Sequence, residues 1–402
     1  MKDYDVIIVG GGIVGMTAAL LLAKNTSCKI ALLDSKKEFS DWQSASYDYR
    51  VSAISLASKK IFEHLQVWDP MRAKRISPYS RMYVWDETGE GRLCFDGREL
   101  GEPVLGYIIE ENVMRASLLQ SILNSSIDFF HPVTLTSWRS SLDYLEVTTK
   151  EEALFKTKLL IGADGAHSWV RKNANIELTT RDYQQTAIVA TVKAELPHEA
   201  TAWQRFLLTG PLAFLPLEDA YTSSIVWSTE HKHAEELLAL DDLMFQEQLS
   251  YALTEKLGRI TEVSKRYHFP LVMRHAKHYV QERIALIGDA AHTIHPLAGQ
   301  GMNLGLLDAA CLVETIQFSQ KKNRDFSKFL SLRPYERARK SDNLTMLAAM
   351  DLLKYIFVNE SRAVHSLRNK ALNFTHTLSP LKKFFMNYAL GKRAHLPALV
   401  RE

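Results

Sequence analysis

Apolar residues near the start of the chain fall into two short runs on either side of a longer one. Residues 4–9 are mostly apolar, as in a strand that is covered on both faces, and residues 29–33 repeat this pattern. Between them, residues 13–24 have the length and the small, apolar side chains of a buried helix. The pattern therefore predicts a β-strand, an α-helix and a second β-strand parallel to the first.

One stretch of this unit has the length of a membrane-spanning segment. Residues 6–23 contain no charged side chain, and 18 such residues are enough to cross a bilayer. Glycines at positions 10, 11, 12 and 15 interrupt the stretch. They favour a buried strand followed by a buried helix over the membrane-spanning alternative.

Apolar strands of the same kind return at residues 158–161 and 283–287, whereas other parts of the chain carry alternating or aromatic strands. From about residue 303 the pattern is helical. We predict a discontinuous α/β domain, an inserted β-rich domain and a helical C-terminal region. Their boundaries are 1–75, 107–180 and 276–330 for the α/β domain, 76–106 and 181–275 for the β-rich domain, and 331–402 for the helical region.

Composition places the chain among globular proteins that build a core without disulfides. Of its 402 residues, 46% are hydrophobic and 24% are charged. Cys28, Cys94 and Cys311 are far apart in sequence and form no CxxC pair. This spacing argues for a reducing compartment, so we expect a cytoplasmic protein.

The charge of the chain is unevenly distributed. Residues 361–402 hold eight lysines and arginines and one acid, a net +7, which leaves −4 for the rest of a chain whose net charge is +3. Such a tail suits peripheral contact with the inner membrane or with an acidic partner, although a solvated amphipathic helix is the simpler interpretation. No block of basic and aromatic residues indicates a nucleic-acid partner.

The turn at residues 10–15, GGGIVG, is a GxGxxG motif between a strand and a helix, the setting that a dinucleotide requires. Gly10 permits the tight turn, Gly12 lets the backbone approach a pyrophosphate, and Gly15 lets the helix pack on the strand. The phosphates then lie at the N-terminus of the helix, where N–H groups favour an anion. Asp34 ends the second strand, where a carboxylate accepts hydrogen bonds from a ribose.

Two further turns indicate which nucleotide is bound. Residues 160–168, LIGADGAHS, follow an apolar strand, but an Asp-Gly turn by itself is commonplace. Residues 285–292, ALIGDAAH, end another strand at a Gly-Asp pair, where Asp289 suits a polyol chain. Residues 296–303, PLAGQGMN, then open a helix whose N–H groups suit the negative charge of a reduced isoalloxazine ring. Together these features favour FAD over NAD.

The three motifs, in this order and spacing, resemble those of the flavoprotein aromatic hydroxylases related to 4-hydroxybenzoate hydroxylase. Residues 288–301, GDAAHTIHPLAGQG, are more specifically similar to the FAD-dependent hydroxylases of ubiquinone biosynthesis. Within that group, residues 187–192 and 225–228 look most like bacterial 2-polyprenylphenol hydroxylase. The implied fold is a Rossmann-like FAD-binding domain with an inserted β-rich substrate domain and a C-terminal helical region.

The resemblance also implies which residues contact FAD. Asp34 stands where many relatives have Glu, and both side chains accept from a ribose. Arg50 matches an arginine near the cofactor, with a surface or ion-pair arginine as the alternative. Glu111 departs from the residue expected beside Glu110, so neither is assigned to the site. The implied cofactor-binding residues are Gly10, Gly12, Ile13, Val14, Gly15, Asp34, Arg50, Asp164, Gly165, Gly288, Asp289, Pro296, Gly299, Gln300, Gly301, Met302 and Asn303.

The implied reaction is hydroxylation of a polyprenylated phenol by O2 through a flavin C4a-hydroperoxide, with NADH or NADPH as the reductant. No separate fingerprint for the reductant is present, so both stay open. An apolar pocket should shield the reaction from water, and its candidate lining residues are Phe214, Pro216 and Trp227, which ordinary sheet packing explains equally well. His292 and Pro296 are the ring-facing candidates, and no metal is expected at the histidine pair 292 and 295.

Three alternatives stay open. In the first, the chain hydroxylates the later 2-polyprenyl-3-methyl-6-methoxy-1,4-benzoquinol intermediate. In the second, it is a reductase or oxidase on the same FAD framework. In the third, it is a flavin-binding scaffold subunit without turnover. Contact with other ubiquinone-biosynthesis enzymes would suit the scaffold.

Overall fold

The computed structural model describes residues 2–38, 42–43, 45–87, 91–293, 300–358, 391 and 396–401, without the side chains of residues 300 and 349–358. Its helices are α1 Ile13–Asn25, α2 Leu56–His64, α3 Trp68–Lys74, α4 Glu111–Leu123, α5 Trp169–Asn173, α6 His231–Ala239, α7 Asp242–Ala252, α8 Gln300–Lys321 and α9 Phe329–Val358. Its strands are β1 Lys2–Val9, β2 Ile30–Leu33, β3 Val51–Ile54, β4 Ser77–Tyr79, β5 Arg81–Asp86, β6 Arg92–Asp96, β7 Gly106–Glu110, β8 Asp128–Phe130, β9 Leu135–Ser140, β10 Leu145–Thr149, β11 Leu154–Gly162, β12 Leu178–Ala194, β13 Thr201–Leu207, β14 Gly210–Pro216, β15 Thr222–Glu230, β16 Ile260–Val263, β17 Tyr267–Ala276, β18 Val280–Gln281, β19 Ile284–Leu286 and β20 His292–Thr293.

The first sheet contains the predicted strand–helix–strand unit. Its main path runs β18-β19-β11-β1-β2-β8, and all its neighbours from β19 to β8 are parallel. The uncharged residues 6–23 fold as the end of β1, a glycine turn and most of α1, which confirms the strand-and-helix interpretation. Among the described residues, no helix is both long and apolar enough to span a bilayer.

The second sheet has nine strands along the main path β20-β17-β12-β15-β14-β13-β5-β6. Most of its strands fall within the predicted β-rich segments, but β20 joins it from the segment assigned to the α/β domain. A third, small sheet of order β3-β7-β4 accompanies the two larger ones. The domain boundaries given above remain our proposal for the division of the chain.

Two apolar cores stabilise this arrangement. The larger one packs β1, β2, β11 and β19 against helices that include α1, α4 and α8. The smaller one packs one face of the second sheet against α6 and α7. Because α6 and α7 cover that face, the opposite face of the sheet is the one turned toward the rest of the molecule.

Candidate functional site

Four parallel strands of the first sheet end side by side, and the predicted motifs follow these ends. Val9 is paired with both Leu33 and Gly162, and Gly162 is paired in turn with Leu286. The turns after these strands therefore lie along one edge, the place where open α/β sheets bind ligands. The structure thus brings together residues 10–15, 34, 163–165 and 288–289.

The turn of residues 10–15 is packed tightly on the turn of residues 163–165. Gly10 has a φ of 111°, and a Cβ there would lie 2.3 Å from the carbonyl oxygen of Ala163. A Cβ on Gly15 would lie 1.9 Å from the carbonyl oxygen of Gly10. Gly12 differs, because a Cβ there would meet none of the described atoms within 4 Å. Gly10 and Gly15 are thus required by close backbone contacts, whereas Gly12 leaves space beside the helix.

Helix α1 begins at this space without a side-chain cap. Its N-cap is Gly12, and its first turn contains no acidic residue. The N–H groups of the first turn have no partner within the helix, so the positive end of the helix dipole faces the space. The side chain of Ile13 is buried, while Val14 contacts the third turn: a Cβ on Gly288 would lie 3.3 Å from its Cγ1.

Asp34 is held in place by the backbone of two segments. Its Oδ2 accepts from the N–H of Gly11 at 2.5 Å, and its Oδ1 accepts from the N–H of Lys36 at 2.7 Å. Each carboxylate oxygen keeps a lone pair beyond these bonds. The side chain is therefore fixed beside the glycine turn and still able to accept from a ribose hydroxyl.

Asp164 caps helix α5 with one carboxylate oxygen and leaves the other buried. Its Oδ2 accepts from the N–H of Trp169 at 2.6 Å. Its Oδ1 is buried and has no hydrogen-bond partner in the described part of the chain. Gly165, at a φ of 78°, has open space around its Cα. A hydroxyl of a bound ligand is the kind of donor that the Oδ1 of Asp164 needs.

The third turn, which begins at Gly288, is hydrogen-bonded to Arg171 of α5 and to Asp308 of α8. Arg171 donates to the carbonyl oxygen of Ala290 at 2.8 Å, and the burial of its guanidinium lowers its pKa. Gly288, at a φ of 59°, donates its N–H to Asp308 Oδ2 at 3.1 Å. His292, a predicted ring-facing residue, is 2% exposed, and its Nε2 lies 2.5 Å from Asp308 Oδ2. Its Nε2 is thus bonded to the interior of the protein.

Asp289 and Arg50 lie close enough to interact electrostatically. Asp289 reaches solvent, yet burial by the surrounding protein raises the pKa of its carboxyl. Arg50 and Glu111 both act electrostatically on this carboxyl. Arg50 Nη1 lies 3.6 Å from Glu111 Oε2, with the arginine side chain 60% exposed. Glu110, in contrast, is buried against Arg75 at 2.6 Å.

The helix that is predicted to face the isoalloxazine ring begins at Gln300. A Cβ on Gly301 would meet none of the described atoms within 4 Å, and Met302 is half-buried. Pro296 and Gly299 lie outside the described residues.

The side chain of Asn303 points into the protein. Its Oδ1 accepts from the N–H of Ser55 at 2.9 Å and from Ser58 Oγ at 2.7 Å, and its Nδ2 donates to the carbonyl oxygen of Ala53 at 2.7 Å. The side chain is 1% exposed. Asn303 thus ties α8 to β3 and α2, and any contact with a cofactor would come from its backbone.

The three predicted substrate residues lie on the interior of the sheet. Phe214 and Trp227 belong to the core under α6 and α7, where Trp227 contacts Phe245 at a ring distance of 6.3 Å. Pro216 is buried and has the same parity along β14 as Phe214, so it lies on the same face. This packing favours the alternative of ordinary sheet packing for all three. The opposite face carries the half-buried Leu215, which packs on β3 and β7.

Sequence reasoning missed two charged residues that the fold buries completely. Asp308 on α8 is 0% exposed and lies 2.7 Å from the Nε of Arg339 on α9, which is 1% exposed. Burial alone would raise the pKa of Asp308, but the charges of His292 and Arg339 outweigh burial and lower it. An acid inside the apolar run of residues 304–313 was the available signal, since such a residue needs a partner.

These residues fit FAD. Open space at Gly12 lies beside an uncapped helix that suits a pyrophosphate, and Asp34 suits the ribose of the ADP half. The carboxyl of Asp289 reaches solvent and would accept from a ribityl chain, and the N–H groups at the start of α8 would favour negative charge on a ring. Among the described residues, no group of three or more His, Cys, Asp or Glu side chains could hold a metal ion.

Comparisons with known proteins identify the class. The family described as FAD binding domain matches residues 3–325, and the chain belongs to this family of FAD-dependent ring-hydroxylating monooxygenases. It is 35% identical to the mitochondrial ubiquinone biosynthesis monooxygenase COQ6 of Danio rerio, over 96% of this chain and 89% of the relative. It is 34% identical to the 3-demethoxyubiquinol 3-hydroxylase of Escherichia coli, over 97% and 99%. Within the class, the chain therefore stands with the monooxygenases of ubiquinone biosynthesis.

Solved structures show the same fold at low sequence identity. The p-nitrophenol 4-monooxygenase PnpA from Pseudomonas putida superimposes with a TM-score of 0.76 at 16% identity, covering 97% of this chain and 99% of that one. Klebsiella pneumoniae HpxO, solved with FAD and uric acid, gives a TM-score of 0.72 at 17% identity, covering 98% and 97%. The predicted α/β FAD-binding fold is thereby confirmed.

Proposed function

We propose that this chain hydroxylates the ring of a polyprenylated phenol or quinol in ubiquinone biosynthesis, with FAD as cofactor, NADH or NADPH as reductant and O2 as cosubstrate. The observation that carries the proposal is the convergence of four strand ends on one edge. Along this edge the carboxylate of Asp34, the uncapped helix at Gly12 and the carboxyl of Asp289 follow one another, as the ribose, the pyrophosphate and the ribityl chain do in FAD.

The residues of the chain bind and orient the cofactor, and FAD when bound supplies the redox chemistry that activates oxygen. The N-terminus of α1 at Gly12 would hold the pyrophosphate, and Asp34 would accept from the ribose. Asp289 would accept from the ribityl hydroxyls. The first turn of α8, at Gly301 and Met302, would stabilise negative charge on the ring. Phe214, Pro216 and Trp227 are not needed in this scheme.

The substrate pocket is best placed on the face of the second sheet opposite α6 and α7. Leu215 packs there against the cluster that contains Ala53 of β3, and Val226 and Met273 both pack against the cluster that contains Ala187. Met273 also packs against the cluster that contains Leu304 of α8, so this face adjoins the helix that would lie beside the ring. Its apolar character would exclude water from the reaction and suit a hydrophobic substrate.

The names of the relatives point to one specific substrate class, a quinol. The Escherichia coli relative is named for a demethoxyubiquinol, and the Danio rerio relative for ubiquinone biosynthesis in general. A quinol is therefore a specific alternative to the phenol that the motifs favour. The two differ in ring substituents, not in the chemistry that they require from the site.

Purified protein tests the proposal directly. It should oxidise NADH or NADPH faster when a short-chain prenylated phenol or a demethoxyubiquinol analogue is added, and mass spectrometry should show one atom of ¹⁸O from ¹⁸O2 in the product. Turnover without ¹⁸O incorporation would identify a reductase, and bound flavin without turnover would identify a scaffold subunit. Either result contradicts the proposal.

A variant pair tests the position of the pocket. Leu215→Arg places a charge on the half-buried face and should lower product formation without loss of bound FAD. Leu208→Arg is the matched control, since Leu208 is 41% exposed and follows β13. Equal product formation by both variants would remove this face from consideration.

We also propose that the protein is cytoplasmic and makes peripheral contact with the inner membrane, because a polyprenyl tail resides in the bilayer. The basic C-terminal segment supports this proposal by its charge, although most of it lies outside the described residues. Cosedimentation with anionic vesicles should exceed cosedimentation with neutral vesicles at low salt. Equal binding to the two would contradict the electrostatic part of the proposal.

A further inference from the structure

One buried carboxylate joins both ends of the third turn to the last two long helices. Asp308 of α8 accepts from the N–H of Gly288 at 3.1 Å, and its Oδ2 lies 2.5 Å from His292 Nε2. Its other oxygen, Oδ1, accepts from Arg339 Nε of α9 at 2.7 Å. Asp308, His292 and Arg339 are each 2% exposed or less. The turn of residues 288–292 is therefore bonded at its start and at its end to the same side chain.

The network continues beyond Asp308 through helix α9. Arg339 Nη1 donates to Asp342 at 2.7 Å, and its Nη2 donates to Asn343 at 3.0 Å. Although burial by itself lowers the pKa of a guanidinium, Asp308 and Asp342 outweigh it and raise the pKa of Arg339. Both partners are thus ionised in the interior, where losing either one leaves an uncompensated charge.

Asp289 lies inside this turn and depends on it for its position. No hydrogen bond or ion pair of the Asp289 side chain is found in the part of the chain that the structure describes. Its direction is thus set by its backbone, which the bonds at Gly288 and His292 hold. A purely structural ion pair between α8 and α9 would require only Asp308 and Arg339. The two bonds from Asp308 to the turn are the contacts that such a role leaves unexplained.

We propose that Asp308 is a positioning residue that fixes the turn of residues 288–292, and with it Asp289, for the ribityl chain of FAD. Arg339 orients Asp308 and so makes flavin binding depend on helix α9. This inference rests on the proposed placement of FAD at the third turn.

The test compares Asp308→Asn with Asp342→Asn. Both variants remove a carboxylate from Arg339, but among the described contacts it is Asp308, and not Asp342, that is bonded to the turn. The loss of a charge-assisted hydrogen bond should weaken FAD binding to Asp308→Asn by about ten- to a hundredfold, while Asp342→Asn stays within about twofold of the unchanged protein. FAD affinity is measured by fluorescence titration of the apoprotein, and the visible circular dichroism of bound flavin reports the setting of the ring. That spectrum should change in Asp308→Asn alone.

Each outcome decides the inference. If Asp308→Asn binds FAD as the unchanged protein does, or if Asp342→Asn weakens binding equally, Asp308 is merely structural. If Asp308→Asn does not fold, His292→Gln decides instead: it releases one end of the turn, and unchanged FAD affinity would overturn the proposal. If the unchanged protein does not bind FAD, the proposed function itself is refuted. The comparison between variants tests only the role of Asp308.

Discussion

Replacing Gly12 should weaken flavin binding strongly and leave the fold intact. Gly12 has a φ of −77° and a ψ of 178°, an ordinary extended conformation, and a Cβ there meets none of the described atoms within 4 Å. The Cβ of Gly12→Leu therefore causes no clash with the described residues, and the loss of N-cap preference is offset by the smaller entropy of the unfolded chain. For a protein of this size, the unfolding temperature of the apoprotein should change by no more than about 1–2 °C.

The effect on FAD should be much larger. The leucine side chain would occupy the space beside the first turn of α1 and keep the pyrophosphate from its N–H groups. Losing two charge-assisted hydrogen bonds, at about 1.5 kcal/mol each, costs about 3 kcal/mol, or more than a hundredfold in affinity. Fluorescence titration of the apoprotein with FAD measures this affinity.

Gly15→Ala is the contrasting variant. Its Cβ would lie 1.9 Å from the backbone oxygen of Gly10, so the turn itself has to move. Overpacking of this kind costs about 1–3 kcal/mol, and the apoprotein should lose stability together with FAD affinity. The reasoning is refuted if Gly12→Leu binds FAD normally, or if its apoprotein unfolds as early as that of Gly15→Ala.

Three other predictions follow from contacts described above. Asp34→Ala removes the acceptor beside the ribose and should weaken FAD binding by about tenfold in isothermal titration; an unchanged affinity would place the ribose elsewhere. Burial, followed by the charge of His292, lowers the pKa of His275 from 6.5 to about 4, so the unfolded state takes up its proton first and stability falls as the pH drops from 6.5 to 4. His275→Gln should therefore lose less stability than the unchanged protein between urea titrations at pH 7 and pH 4.5, by up to about 3 kcal/mol, and equal losses would contradict this. Arg75→Met leaves Glu110 charged and buried and should cost about 3–5 kcal/mol in urea unfolding; combining it with Glu110→Gln should restore part of the loss, and no recovery would refute the ion-pair argument.

Sequence reasoning located the first sheet because local patterns determine it. The uncharged run after Asp5 and the glycines of residues 10–15 specify strand, turn and helix without reference to any distant residue. The same patterns place Asp34 and Asp289 directly after strands, where parallel strands align their ends. Asp34 and the glycines could therefore be assigned to one edge of the sheet from the sequence alone.

The orientation of Phe214 could not be predicted in this way. Residues on both faces of β14 are apolar, so the sequence has no alternation of polar and apolar positions that would show which face is buried. Which face meets α6 and α7 depends on helices that follow in sequence. The partners of Asn303 and Asp308 are equally distant, since Ser55 precedes Asn303 by 248 residues. Only the assembled fold brings such residues together.

The order of the strands in the first sheet has a consequence for synthesis. Strand β1 is completed by β2 early, but its other neighbour, β11, pairs with β19 near residue 284, and Arg339 comes later still. A growing chain on the ribosome therefore leaves part of one edge of β11 unpaired until β19 has been made, and pairing over such distances is slow.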